Sequence, residues 1–186
     1  VILLIGSDII AEDSGTTTAT TTTVTARLSA LSGKAVTVNF AFSGNAHRTV
    51  MPFDYALEGS ITVPIGQISQ TITLSALSDV LNESNEAVVI DIATVENGTE
   101  SGTQVATITI TDDDPIPTVT LGVTNRSIVE DASISTSTSV PVTLSAVSGR
   151  DVTVTLSKSG SASETVAPTD YTLTGSILIP TGAPSA

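Results

Sequence analysis

The chain repeats itself at a distance of 116 residues, and that period decides what it can fold into. Leu28-Ser29-Ala30-Leu31-Ser32-Gly33 returns as Leu144-Ser145-Ala146-Val147-Ser148-Gly149, and Asp54-Tyr55 returns as Asp170-Tyr171 within matching Gly-Ser-Ile surroundings. From Leu28 to Ser69 the register holds without a gap, with more than half of the positions identical. Solenoid arrays repeat every ~20 to 50 residues. A period this long is instead a whole domain, so the chain is a tandem of one module.

The first copy runs on through Gln70 to Asp114, whereas Ser185, the counterpart of Ser69, is followed only by Ala186. The second copy is therefore expected to be truncated, lacking its final strands, with the chain an excerpt of a longer array. A sandwich missing those strands has open edges and part of a core.

Only 3% of the 186 residues are aromatic and there is no Trp, so each core has to be built from Val, Ile, Leu and Ala. At 40% apolar residues there is enough for a packed sandwich. The Thr-rich stretch Thr16 to Thr25 runs into Val24, Ala26 and Leu28, an alternation that favours a strand over an O-glycosylated stalk. Cysteine is absent, which excludes disulfides and thiolate metal sites. Six Lys plus Arg stand against nineteen Asp plus Glu, a net charge of −13 that disfavours nucleic acid and anionic membranes and favours cations. The apolar run Val1 to Ile5 is too short for a signal core or a membrane span, so no direct membrane insertion is expected in this segment.

Period-two alternation dominates, as in Val36-Thr37-Val38-Asn39-Phe40, Gln70-Thr71-Ile72-Thr73-Leu74 and Val105-Ala106-Thr107-Ile108-Thr109-Ile110. This is the pattern of half-buried antiparallel strands. Turn signals at Ser32-Gly33, Ser43-Gly44-Asn45, Pro64-Ile65-Gly66 and Asn97-Gly98 separate the runs. The spacing predicts strands near 1–11, 20–31, 34–43, 56–64, 69–76, 86–95 and 103–112. The second copy repeats the first five near 118–129, 138–147, 151–158, 172–180 and from 183. Seven short strands in a module of this size predict an all-β fold, an immunoglobulin-like antiparallel β-sandwich in tandem. The first sandwich is expected over 1–114 and the incomplete second over 118–186. Between them Pro115-Ile116-Pro117 reads as a short, stiff linker.

Glu-Asp near the first strand, Asp-Tyr followed by Gly-Ser-Ile, the acidic Asp79, Glu83 and Glu86, and a last strand ending Thr111-Asp112-Asp113-Asp114 together resemble the Calx-beta domain. That module is known from regulatory loops of sodium/calcium exchangers, from integrin β4 and from long bacterial surface proteins. The resemblance implies a Ca²⁺ site whose ligands would be Glu12, Asp54, Asp79, Glu83, Asp112, Asp113 and Asp114, with Glu130 and Asp170 as the part of the set present in copy two. Ser78 stands where the strongest calcium binders carry another Asp. The chemistry holds without the family name, because Ca²⁺ takes six to eight oxygens, largely carboxylates, at ~2.3 to 2.6 Å. Three adjacent carboxylates ending a strand repel unless something neutralises them. Asp54 has a second reading, an Asx hydrogen bond to a turn backbone, and Glu86 one as a solvent-facing edge charge.

Other chemistry is sparse. The single His47 lies on a polar turn beside Arg48 and reads as a surface residue, not a base or zinc ligand. No nucleophile elbow or phosphate-binding glycine loop occurs, so no enzyme is expected. Asn82, Asn97 and Asn125 open glycosylation triplets. The functional expectation is a non-enzymatic, calcium-stiffened structural or adhesive repeat of a secreted surface protein or filament. Its partners would be further repeats of the same chain, or a neighbouring chain that donates a strand. The competing expectation is a calcium-sensing regulatory domain of a transporter or receptor, which needs a bistable partner to switch.

Overall fold

A computed structural model describes residues 1–12, 20–49, 53–130, 136–167 and 169–186. Asp13, the start of the threonine run (Thr16–Ala19) and Asp131 lie outside them. The chain divides into two compact units, one of Val1–Val80 with Ser84–Asp114 and one of Leu81–Glu83 with Pro115–Ala186. No helix of the described residues is long and apolar enough to cross a membrane.

The first unit is an immunoglobulin-like β-sandwich. Its strands are β1 (Ile2–Ile5), β2 (Ile9–Ala11), β3 (Thr21–Arg27), β4 (Val36–Gly44), β5 (Tyr55–Ala56), β6 (Ser60–Val63), β7 (Ser69–Ala76), β8 (Glu86–Glu96) and β9 (Val105–Thr111). One sheet has the order β1-β3-β7-β5, the other β2-β9-β8-β4-β6. All pairings are antiparallel except β2 with β9. Alternation puts Val24 and Ala26, Val36 and Val38, Val88 and Ile90, and Ile108 and Ile110 on inner faces, where they are buried in one core. The outer faces carry the Ser/Thr excess as cross-strand pairs, including Thr25 with Thr71 (Oγ1 to Oγ1 2.8 Å) and Thr37 with Thr62 (3.1 Å).

The expected single strand over 1–11 is two, because the chain changes sheets at Gly6-Ser7-Asp8. Gly6 N donates to Thr23 O (3.0 Å), and a Cβ on Gly6 would lie 2.6 Å from Thr23 Oγ1, so only glycine lets the backbone pass that close. The buried Thr22 hydroxyl then accepts from Ser7 N (2.7 Å) and donates to Ser7 O (2.9 Å), satisfying both backbone groups as they leave the first sheet. Thr109 N bonds Asp8 O (2.8 Å) and takes the chain into the second sheet. The strand expected over 56–64 also divides, into β5 and β6 on opposite sheets, with Leu57 buried at the crossing.

In the second unit the described strands are β10 (Val119–Leu121), β11 (Val142–Leu144), β12 (Val152–Thr155) and β13 (Ser176–Ile179), shorter than the alternation predicted and paired only as β10-β11 and β12-β13. Val152 pairs with Ile179 and Val154 with Ile177, the register of Val36 with Val63 and Val38 with Ile61 116 residues earlier. Val38, on a strand with two partners, and Ile61, on the edge strand beside it, are fully buried, while Val154 and Ile177 are half-buried. A strand with one neighbour holds fewer of its backbone groups, and its ends fray. From residue 183 there is no strand; Thr143 and Ser185 form an isolated bridge. Leu81–Glu83 joins this unit, where Asn82 is buried and its Oδ1 accepts from Arg150 Nη2 (2.7 Å). That removes the first of the three glycosylation triplets from reach.

Candidate metal centre

Strand direction brings the acidic residues of the first unit to one pole. In the parallel pair Ala11 stands beside Thr111, and Glu12 N donates to Thr111 O (3.0 Å), so Glu12 leaves β2 where Asp112 leaves β9. Antiparallel pairing sets Glu86, at the start of β8, opposite Ile110 near the end of β9. Asp112 N donates to Asn85 Oδ1 (3.3 Å) in the same turn region. On the other sheet Leu77 N donates to Asp54 O (2.9 Å), which places Asp54 just beyond the end of β7 and Asp79 two residues further on.

Glu12, Asp54 and Asp114 are buried, Asp79 and Asp112 half-buried and Asp113 exposed. The Asp114 carboxyl is pushed above the usual carboxylate range, first by its burial and then by the negative charges of Asp112, Asp113 and Asp79. Three carboxylates from two loops thus act on that of Asp114. Their all-oxygen, acidic donor set suits a hard divalent cation such as Ca²⁺. Of the other residues named from the sequence, Glu83 belongs to the second unit beside Gly149, and Glu130 and Asp170 are exposed in that unit.

Asp54 has a structural task that both copies share. Asp54 N donates to His47 O (2.8 Å), and His47 N donates back to Asp54 Oδ2, a reciprocal bracket across a sequence separation of seven. The same bracket recurs as Asp170 N to Ser163 O (2.7 Å) and Ser163 N to Asp170 Oδ2 (2.6 Å). The recurrence of Asp-Tyr therefore has a local cause, the Asx-type bond. Replacing Asp54 by Ala is expected to cost about 1 kcal/mol, because the part-buried His47 amide loses its acceptor, and Asp54→Asn much less. Asp170→Ala, at an exposed bracket, should cost less than Asp54→Ala. Urea unfolding of the three variants measures this; an Asn variant as unstable as the Ala variant would show that charge, not the bond, holds the loop.

A grouping that the sequence did not suggest lies beside this bracket. One ligand atom each of His47, Asp54 and Glu86 falls within 4.8 Å of the other two, and His47 Nδ1 is 3.3 Å from Asp54 Oδ2. The pairing is non-local, made by the loop after β4 folding onto β5 and the start of β8. Only the seven-residue spacing of the bracket hints at it in one dimension.

By sequence, neither a protein-family model nor a curated protein matches the chain. Among solved structures, the apo form of the Calx CBD1 domain is similar at 18% identity and TM-score 0.43, covering 60% of this chain and 96% of that one. CBD12 from CALX1.2 is similar at 15% identity and TM-score 0.46, covering all of this chain and 73% of that one. A CsuC-CsuE chaperone-tip adhesion subunit complex from Acinetobacter baumannii is similar at 7% identity and TM-score 0.38, covering 98% of this chain and 85% of that one.

Proposed function

We propose that the first unit is a calcium-binding Calx-beta-type sandwich, and that the chain is a non-enzymatic structural or adhesive repeat of a longer extracellular protein. The observation that carries the calcium reading is the convergence of Asp79, Asp112 and Asp113 on the buried Asp114 carboxyl, whose pKa is raised first by burial and then by their charges. Glu12 would join these four from the parallel neighbour strand. A bound Ca²⁺ would add neutralising charge to this pole and would hold the ends of β2 and β9 and the loop after β7 together. The tandem repeat, the absence of Cys and the net charge of −13 support an array exposed to a calcium-containing medium. The exchanger-type sensor has no specific observation in its favour.

Scanning calorimetry of the whole chain in chelator, millimolar Mg²⁺ and millimolar Ca²⁺ tests the reading. A ligand of the native state raises stability by about 2.7 kcal/mol at a hundred times its dissociation constant. The unfolding temperature of the first unit should therefore rise with Ca²⁺ and much less with Mg²⁺, which dehydrates reluctantly. An unchanged transition in Ca²⁺ would remove the calcium assignment.

A further inference from the structure

We infer that His47, Asp54 and Glu86 form a site for a borderline divalent cation of the Zn²⁺ type, distinct in its donors from the all-oxygen set of Asp79, Asp112, Asp113 and Asp114 at the same pole. This does not rest on the calcium reading. The three side chains come from three different segments, and their ligand atoms already lie within 4.8 Å of one another. Two ligands of a tetrahedral zinc at 2.0 to 2.1 Å stand roughly 3.3 Å apart. His47 Nδ1 and Asp54 Oδ2 are at 3.3 Å, so two of the three ligand atoms already stand at that spacing.

The donor set selects the ion. One imidazole with two carboxylates suits Zn²⁺, Co²⁺ or Ni²⁺, with water in the remaining position, whereas Ca²⁺ prefers oxygens throughout. His47 is the only histidine and there is no cysteine, so any nitrogen or sulfur side-chain donor of the usual kind must be this one.

The loop bracket that explains Asp54 does not need the imidazole, although its Nδ1 lies 3.3 Å from the same carboxylate oxygen. The bracket uses the backbone of residue 47 alone, and Ser163 performs it equally in the second copy. The histidine side chain is about half exposed, within reach of an ion from solvent, while Asp54 beneath it is buried. Its loop is fixed on β8 by Ala46 N to Ala87 O (3.2 Å) and by Ala87 N to Asn45 Oδ1 (2.8 Å). The adjacent cation, Arg48, is engaged 4.6 Å from the centre of the Phe42 ring. Because Ser163 replaces His47 in copy two, the site belongs to copy one.

The single histidine makes the test direct. Zn²⁺ is titrated into the whole chain in saturating Ca²⁺, with the imidazole proton resonances followed by NMR and the heat by calorimetry. One equivalent of Zn²⁺ should move the His47 resonances to saturation. His47→Gln and Glu86→Gln should each weaken Zn²⁺ binding by about ten-fold or more, at least what loss of a supporting residue costs a metal site. His47→Gln should leave the Ca²⁺ response of the melting transition in place, so failure of this site and failure of the calcium reading are distinguishable. Unmoved imidazole resonances, or Zn²⁺ binding unaltered in His47→Gln, would mean diffuse binding to the acidic surface and would overturn the site. Displacement of the Zn²⁺ by Ca²⁺ would overturn its independence from the all-oxygen set.

Discussion

Replacing Gly44 by Ala is expected to unfold the first unit far more readily than the equivalent change at Gly160 affects the second. Both glycines hold a positive φ, +107° and +130°, conformations that L side chains rarely adopt. Both substitutions therefore incur backbone strain of about 1 to 3 kcal/mol. Only Gly44 has a neighbour in the way: a Cβ there would lie 2.0 Å from Ala87 O and 2.9 Å from Ala87 C, while nothing lies within 4 Å at Gly160. Those Ala87 atoms are backbone of β8, whose Val88 is the register partner of Gly44, so relief means moving a central strand pair. The loss for Gly44→Ala should exceed about 3 kcal/mol, the top of the range for strain alone. Denaturant unfolding followed by tyrosine fluorescence in a Tyr171→Phe background reports the first unit through the buried Tyr55. Equal losses at the two positions would show that φ, and not the approach of β8, is what Gly44 serves.

Much of this architecture can be read from residue order. Alternation places β7 at Ser69–Ala76 and β8 from Glu86, because each run carries its own apolar period and each turn its own glycine or asparagine. Asn97, in the predicted Asn97-Gly98 turn, takes a left-handed φ of 58° and donates from Nδ2 to Ala35 O (2.9 Å). What alternation cannot show is a change of sheet. Ile2–Ile5 and Ile9–Ala11 are both short apolar runs, and the switch between them is set by Gly6 meeting Thr23 and by the buried Thr22 hydroxyl, both contacts across the fold. The β-bulge at Asn39/Phe40 is likewise invisible in the sequence, since it is a property of the β4–β8 pairing. Of the candidate site, the acidic strand end was legible because three adjacent carboxylates are anomalous on their own. His47 was not, because a lone histidine on a polar turn acquires its two carboxylate neighbours only when distant segments meet.

Asp114→Asn is expected to act in opposite directions with and without calcium. The folded-state pKa of Asp114 lies above its ordinary value, through burial and then repulsion from Asp112, Asp113 and Asp79. Below the unfolded-state pKa the group is protonated in both states and has no effect. As the pH rises past it the unfolded chain ionises first, and stability falls until the folded pKa is passed, after which the full penalty remains. At pH 7 in chelator that penalty is present, and a neutral asparagine of the same shape removes it. The variant should therefore melt higher than the parent in chelator at pH 7, with the gap closing as the pH is lowered through the carboxylate range. In Ca²⁺ the order should reverse, because an ion that takes six to eight oxygens loses a charged one and the stabilisation it lends falls with its affinity. Calorimetry of parent and variant in both media at pH 7 and at acid pH reads the crossing. A variant that melts lower than the parent in chelator would show that the ionised Asp114 carboxylate stabilises the fold without any cation, and the pole would then be an internal hydrogen-bonded turn and not a metal centre.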